Sequence, residues 1–139
     1  MEKKYLIDGA SLIKIFLIRP DSAIDFIENS CTIESCYSEI GDLISNRCSM
    51  EETEEEKTRI TSLGDDLIDI LKSVEIVPVL WNDFKTMLNI AIYKKLNFRE
   101  VSYLWAAKEN KLILITDSQR INMVYYRSGY PTLFSSGKF

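Results

Sequence analysis

The eight residues Lys111-Leu-Ile-Leu-Ile-Thr-Asp-Ser118, KLILITDS, decide how the chain is read. A strand with one wet face alternates apolar and polar residues, whereas one buried on both faces runs apolar without a break. Leu112–Ile115 shows no alternation, which predicts a strand of a parallel sheet covered by helices. Asp117-Ser118 can cap a following helix that ends near Gly129, with Tyr130–Phe134 as an edge strand.

The same grammar holds elsewhere. Tyr5-Leu-Ile-Asp-Gly-Ala-Ser-Leu-Ile-Lys-Ile-Phe16 starts within a short buried strand, Lys4–Ile7, meets Asp8, and continues into an apolar helix, Ser11–Ile18. Arg19-Pro20-Asp21 breaks that helix, and Asp21 is expected to cap a short one over Ala23–Glu28. Thr32-Ile33 reads as a small strand or extended link. Glu34–Arg47 is helical by pattern. At ~100° per residue Cys36, Ile40, Leu43 and Ile44 share a face about 100° wide, and Glu39 lies about 40° beyond its edge.

An acidic run with five glutamates in positions 51–56 leads into a helix carrying Ile60, Leu63, Leu67, Ile70 and Leu71. Val74–Val79 is β-branched and short, hence a strand or extended segment. Asn82 is expected to cap a helix whose stripe is Phe84, Met87, Leu88, Ala91 and Ile92. Asn97-Phe-Arg interrupts the pattern, and Glu100–Glu109 resumes it with Val101, Leu104, Trp105 and Ala107 inward or bordering. Strands alternating with helices, without repeat or linker, predict a single α/β domain over residues 1–139 with a small parallel sheet flanked by helices.

With 139 residues, 46% hydrophobic and 27% charged, the chain can bury a core without disulfides. Cys31, Cys36 and Cys48 lack metal or redox spacing and read as reduced core thiols. There is no histidine, so histidine triads, histidine bases and His-containing zinc sites are excluded. No apolar run approaches the ~20 residues of a membrane span, and MEKKYLID is not a signal peptide; a cytoplasmic protein is expected. The net charge of −4 is concentrated in the glutamate run. Lys3, Lys4, Lys14, Lys94, Lys95 and Arg99 leave a nucleic-acid partner open.

Four acids stand at unusual places. Asp8 follows the first strand and Asp117 the strongest, and open α/β sheets bind ligands beyond the carboxyl ends of their strands. Glu39 and Glu100 flank apolar helical faces. Clustered carboxylates oppose one another's ionisation, a conflict that a divalent cation removes. All-oxygen donors suit Mg²⁺ or Mn²⁺, which can activate water against a phosphodiester. The plainer reading makes Asp8 and Asp117 helix N-caps.

The order of these motifs resembles the PIN domain, the fold of VapC-type toxin ribonucleases, over nearly the whole chain. YLIDGASLIKIF resembles the family's opening strand-Asp-helix, and CTIESCYSEIGDLI its helix with an inward glutamate, Glu39. The segment from Ile76 to Ile121 is similar to the distal half, where an acid opens a helix of the form D-A-x-Y-x-A-x-A and a strand ends in Thr-x-Asp. The resemblance implies a three-layer α/β/α fold, bound Mg²⁺ or Mn²⁺, endoribonuclease chemistry on RNA, an antitoxin-type partner and a homodimer. Asp8 and Glu39 fall on its first and second acids. Glu100 stands where the third is usually Asp, Ser118 holds the fourth place, and Asp117 lies one residue early. Ala10 stands where a Ser or Thr is common, and Ser11 follows it.

The first expectation is therefore a metal-dependent ribonuclease with Asp8, Glu39, Glu100 and Asp117 as metal ligands and catalytic acids. Ser11, Thr116 and Ser118 would support them, and Lys14, Arg99 and Arg120 are candidates for phosphate contact. The second is a PIN-like module that binds RNA or protein without cutting. A receiver-like domain would want an acidic pair after the first strand, where only Asp8 stands. Tyr103 and Trp105, at helical spacing around Leu104, read as core or dimer interface.

Overall fold

In the computed structural model, residues 3–18, 20–121 and 132–134 are described. Strand β1 (Tyr5–Ile7) leads into α1 (Gly9–Ile18) and α2 (Pro20–Glu28), then β2 (Ser30–Thr32). Helices α3 (Ser35–Ser49) and α4 (Glu54–Leu71) follow, then β3 (Glu75–Ile76). A 3-10 turn (Trp81–Asp83) precedes α5 (Phe84–Lys94), α6 (Phe98–Glu109), β4 (Ile113–Thr116) and β5 (Thr132–Phe134). All pairings are parallel and the order is β3-β2-β1-β4-β5. The chain is thus an α/β protein with a parallel sheet flanked by helices.

That order reverses direction at β1. Successive strands move outward through β2 to β3, and the chain then crosses to β4 on the other side. Right-handed crossovers send the connections of the two halves to opposite faces. A crevice opens at the reversal, between the carboxyl ends of β1 and β4. Ile7 lies opposite Ile115 in the register, so Asp8 and Thr116 emerge side by side.

The core follows from the apolar strands. Leu6, Ile7, Leu114 and Ile115 are fully buried, together with Leu12 and Ile15 of α1, Ile40 of α3, Leu67 of α4, Met87 of α5 and Val101 of α6. These side chains form one connected cluster. Cys31 and Cys36 join it as free thiols, and burial pushes both pKa values up to about 11. Among the described residues no helix is long and apolar enough to cross a membrane.

Several local expectations are corrected. The helix expected from Ala23 begins at Pro20, so Asp21 lies in its first turn instead of at the cap; proline suits that first position because its missing N–H has no partner there anyway. Leu43 is exposed, since α3 turns its Cys36–Ile40 edge toward the sheet. Asn82 belongs to the 3-10 turn, and Asp83 occupies the cap position of α5 without a side-chain bond. Of the expected α5 stripe only Met87 and Ala91 are buried; Phe84, Leu88 and Ile92 stay exposed, as does Trp81. The extended Val74–Val79 contributes just Glu75–Ile76 to the sheet. Beyond Ile121, the helix expected toward Gly129 lies outside the described residues.

Candidate functional site

Asp8 leaves β1 as its backbone N–H donates to the Ile115 carbonyl at 3.2 Å, so the sheet itself fixes its position. Its carboxylate is then committed on both oxygens. Oδ1 accepts the Ser11 backbone N–H at 2.8 Å, and Oδ2 accepts the Thr116 hydroxyl at 2.6 Å. The first bond is the N-cap of α1, so the plainer reading of Asp8 is correct as far as it goes. The second ties the ends of β1 and β4 together. Thr116 Oγ1 also accepts the Ser118 backbone N–H at 3.0 Å, which orients the hydroxyl proton toward Asp8.

Glu39 reaches the same place from α3. Its Oε2 accepts the Ala10 backbone N–H at 2.9 Å and packs on Gly9. A Cβ at position 9 would stand 3.0 Å from the Glu39 Cδ and 3.1 Å from Oε2, closer than ordinary side-chain contacts allow. Gly9 is therefore the cradle in which the Glu39 carboxyl lies. With 7% and 8% exposure, Asp8 and Glu39 are buried acids. Burial pushes both pKa values up, and for Glu39 the charge of Asp8 adds to it; Arg99 offsets part of that.

Glu100 has a different life. Asn97 Oδ1 accepts the Glu100 N–H at 2.8 Å while Glu100 Oε1 accepts the Asn97 N–H at 3.0 Å, a complete capping box at the start of α6. Its Oε2 takes the Ser118 hydroxyl at 2.5 Å, and Arg120 Nη2 lies 2.8 Å from Oε1. Asp117 is paired with Lys14 of α1. It is Ser118, not Asp117, whose hydroxyl accepts the Ile121 N–H and caps the helical turn after β4.

All four acids border one cavity of about 470 Å³, together with Thr116, Ser118, Arg99, Arg120 and Tyr103. Ser11 is buried beneath it. The crevice brings together every acid singled out from the sequence, but not as equals. Among the described residues no three acidic, thiol or imidazole side chains form a cluster able to hold a metal. Asp8 and Glu39 have the oxygen chemistry of a hard divalent cation and a charge conflict that Arg99 offsets only in part, so they fit one. Glu100 and Asp117 already carry cationic partners.

Tyr103, whose spacing suits core or a dimer interface, is buried at 3% exposure. It also borders the cavity, with its phenol beside Glu39 and Cys36. Burial raises its pKa further above the usual phenol value, with Cys36, Glu39 and Asp8 adding to it. Sequence reasoning passed over Gly9, whose position directly after Asp8 was the available signal, and the Asn97-x-x-Glu100 box, which is a recognisable helix start. Trp105 is half-buried, with Lys108 Nζ 4.8 Å above its ring.

No protein-family model matches the chain, and no curated protein sequence matches it. Among solved structures, the crystal structure of PAE2754 from Pyrobaculum aerophilum is similar, with a TM-score of 0.77 at 18% sequence identity. The match covers 95% of this chain and 92% of that one. At that identity the likeness is one of fold alone, the parallel α/β architecture.

Proposed function

We propose that this chain is a PIN-like, divalent-metal-dependent endoribonuclease. The observation that supports it best is the pair Asp8 and Glu39. Two buried carboxylates from different elements meet at the sheet reversal, both resisting ionisation through burial and Glu39 also through the charge of Asp8. A fold keeps such a pair at a cost in stability, and that cost is relieved when a cation binds between them.

Asp8 and Glu39 would hold Mg²⁺ or Mn²⁺, which when bound would activate water and neutralise charge on the phosphodiester being cut. The chain's own residues supply the remainder. Thr116 and the Ser11 N–H fix the Asp8 carboxylate from both sides, and the Ala10 N–H fixes Glu39. Arg99, Arg120 and Lys14, around the same acids, give the phosphates of RNA a positive field despite the acidic net charge. Hydrolysis adds water across one P–O bond of the backbone.

A second reading, an RNA- or protein-binding module without cleavage, is favoured by the occupation of Glu100 and Asp117 by Arg120 and Lys14. One experiment separates the two: RNA cleavage with Mn²⁺ or Mg²⁺ and with EDTA, for the wild type, Asp8→Asn and Glu39→Gln. The nuclease reading expects cleavage that needs the metal and disappears in both variants. Cleavage persisting in EDTA or in both variants rejects it. Absence of cleavage, together with absence of thermal stabilisation by Mn²⁺, favours the binding module.

A further inference from the structure

Asn97 and Arg99 stand on the rim of the crevice, and between them in the chain comes Phe98, the first residue of α6. Its ring, 36% exposed, lies 5.2 Å from that of Phe84, centroid to centroid. Phe84 in turn meets Trp81 at 6.5 Å, and Trp81 is 87% exposed. The planes are tilted by 42° and 32°, so the three rings do not close into a stack that hides their faces. Helix α5 extends the same surface. It buries Met87 and Ala91, and at ~100° per residue Phe84, Leu88 and Ile92 share one exposed flank with Lys85 at its border. Apolar surface of this extent marks a place where something binds.

Its charges say what. Residues 81–99 hold four bases, Lys85, Lys94, Lys95 and Arg99, against one acid, Asp83, in a chain whose net charge is −4. All four bases are exposed, and among the described residues none of them forms an ion pair. Around α3 and α4 the bases are answered by acids three or four residues away: Arg47 by Glu51, Lys57 by Glu54, Arg59 by Glu56, Lys72 by Asp69. Two of the unanswered bases directly follow a ring, as Phe84-Lys85 and Phe98-Arg99. A second copy docked face to face would bring these like charges together and take them out of water unpaired. A single-stranded RNA answers both features at once, because its bases stack on ring faces and its phosphates meet the cations. Duplex RNA keeps its bases stacked on one another and has none to offer.

We propose that Trp81, Phe84 and Phe98 form a stacking platform for single-stranded RNA outside the crevice, with Lys85 and Arg99 on the phosphates of the strand. The platform ends at the rim formed by Asn97 and Arg99, so a strand lying on it runs on into the crevice. The proposal rests on the RNA part of the function given above and is independent of the metal and of cleavage.

The test is fluorescence anisotropy of a labelled single-stranded RNA of mixed, non-self-complementary sequence with the full-length chain in EDTA, which separates binding from metal-dependent cleavage. Trp81→Ala is expected to weaken binding about 5-fold or more, the low end for loss of one base–aromatic stack, while the urea midpoint stays where it was because the side chain is exposed. Lys85→Gln should lower the slope of log Kd against log salt by ~0.7, the share of one phosphate contact on a single strand. The chain has two tryptophans, so in Trp105→Phe the remaining fluorescence reports Trp81, and unlabelled RNA should quench it. Binding that Trp81→Ala leaves intact, without quenching, overturns the proposal; cleavage of the same RNA in Mn²⁺ would then leave the nuclease reading standing without it. If Trp81→Ala instead turns a wild-type dimer into a monomer in sedimentation equilibrium and RNA affinity does not change, the face joins two copies of the chain and the proposal falls. A wild type that binds no RNA overturns both. Binding that depends on Trp81 without cleavage in Mn²⁺ supports the platform and rejects the nuclease.

Discussion

Thr116→Val tests whether the two strand ends are joined as described. Valine keeps the shape of threonine and removes one hydroxyl that is 1% exposed. Two bonds go with it: the 2.6 Å donation to Asp8 Oδ2 and the 3.0 Å acceptance from the Ser118 N–H. A hydrogen bond to a charged group contributes about 1.5–3 kcal/mol and one between neutral groups about 0.5–1.5 kcal/mol. The sum predicts a loss of about 2–4.5 kcal/mol near neutral pH. At roughly 3–4 °C per kcal/mol for a chain of this size, Tm falls by about 6–18 °C. The measurement is urea unfolding in EDTA, with the m-value compared to confirm that the midpoint alone has moved. At acid pH Asp8 is protonated in both proteins, the first bond becomes neutral, and the difference should shrink to about 1–3 kcal/mol. A loss below 1 kcal/mol at neutral pH, or one that does not change with pH, would refute the view of Thr116 as the donor that holds a charged Asp8.

Gly9→Ala should cost about 1–2 kcal/mol as Glu39 swings away from the added methyl, giving up its 2.9 Å bond from Ala10. Mn²⁺ should then no longer raise Tm, and retained stabilisation would show that Glu39 needs no cradle. The metal-free protein should also lose stability as pH rises. Folding raises the pKa of Asp8 above 3.8 and of Glu39 above 4.5, so the folded chain binds more protons between those values and the raised ones. Their contribution is full below pH ~4 and is lost as pH climbs through the raised values. Urea midpoints in EDTA across that range, with Asp8→Asn/Glu39→Gln as control, should show the slope in the wild type and much less of it in the double variant. Equal slopes would mean that other groups set it.

Much of the fold was legible because parallel strands buried on both faces announce themselves. Leu112–Ile115 has no polar alternation, and Asp8 and Asp117 are the first charged groups past the end of a buried run. Helical periodicity located Glu39 beside its buried stripe, and it is buried there. The same periodicity failed for Phe84, Leu88 and Ile92, because a repeat of apolar residues shows which face is greasy and not whether anything covers it. The end of α5 was hidden for another reason: Lys95 takes the left-handed conformation at φ 57° that usually falls to glycine. The partition of the site was hidden too. Lys14 reaches Asp117, and Arg120 reaches Glu100, only after β1 and β4 have paired.

The bond between Thr116 and Asp8 spans 108 positions of the chain. During synthesis Asp8, Gly9 and Glu39 all leave the ribosome long before the strand that completes their pocket has been made. Until Thr116 arrives, β1 has an open edge, Asp8 lacks one of its two clamps, and no wall faces Glu39. Pairings this distant in sequence also form late in folding, because the loop must close before the contact rewards it. Assembly of the pocket thus coincides with near-completion of the sheet: a chain cut short before residue 116 carries the first two acids but no place to use them.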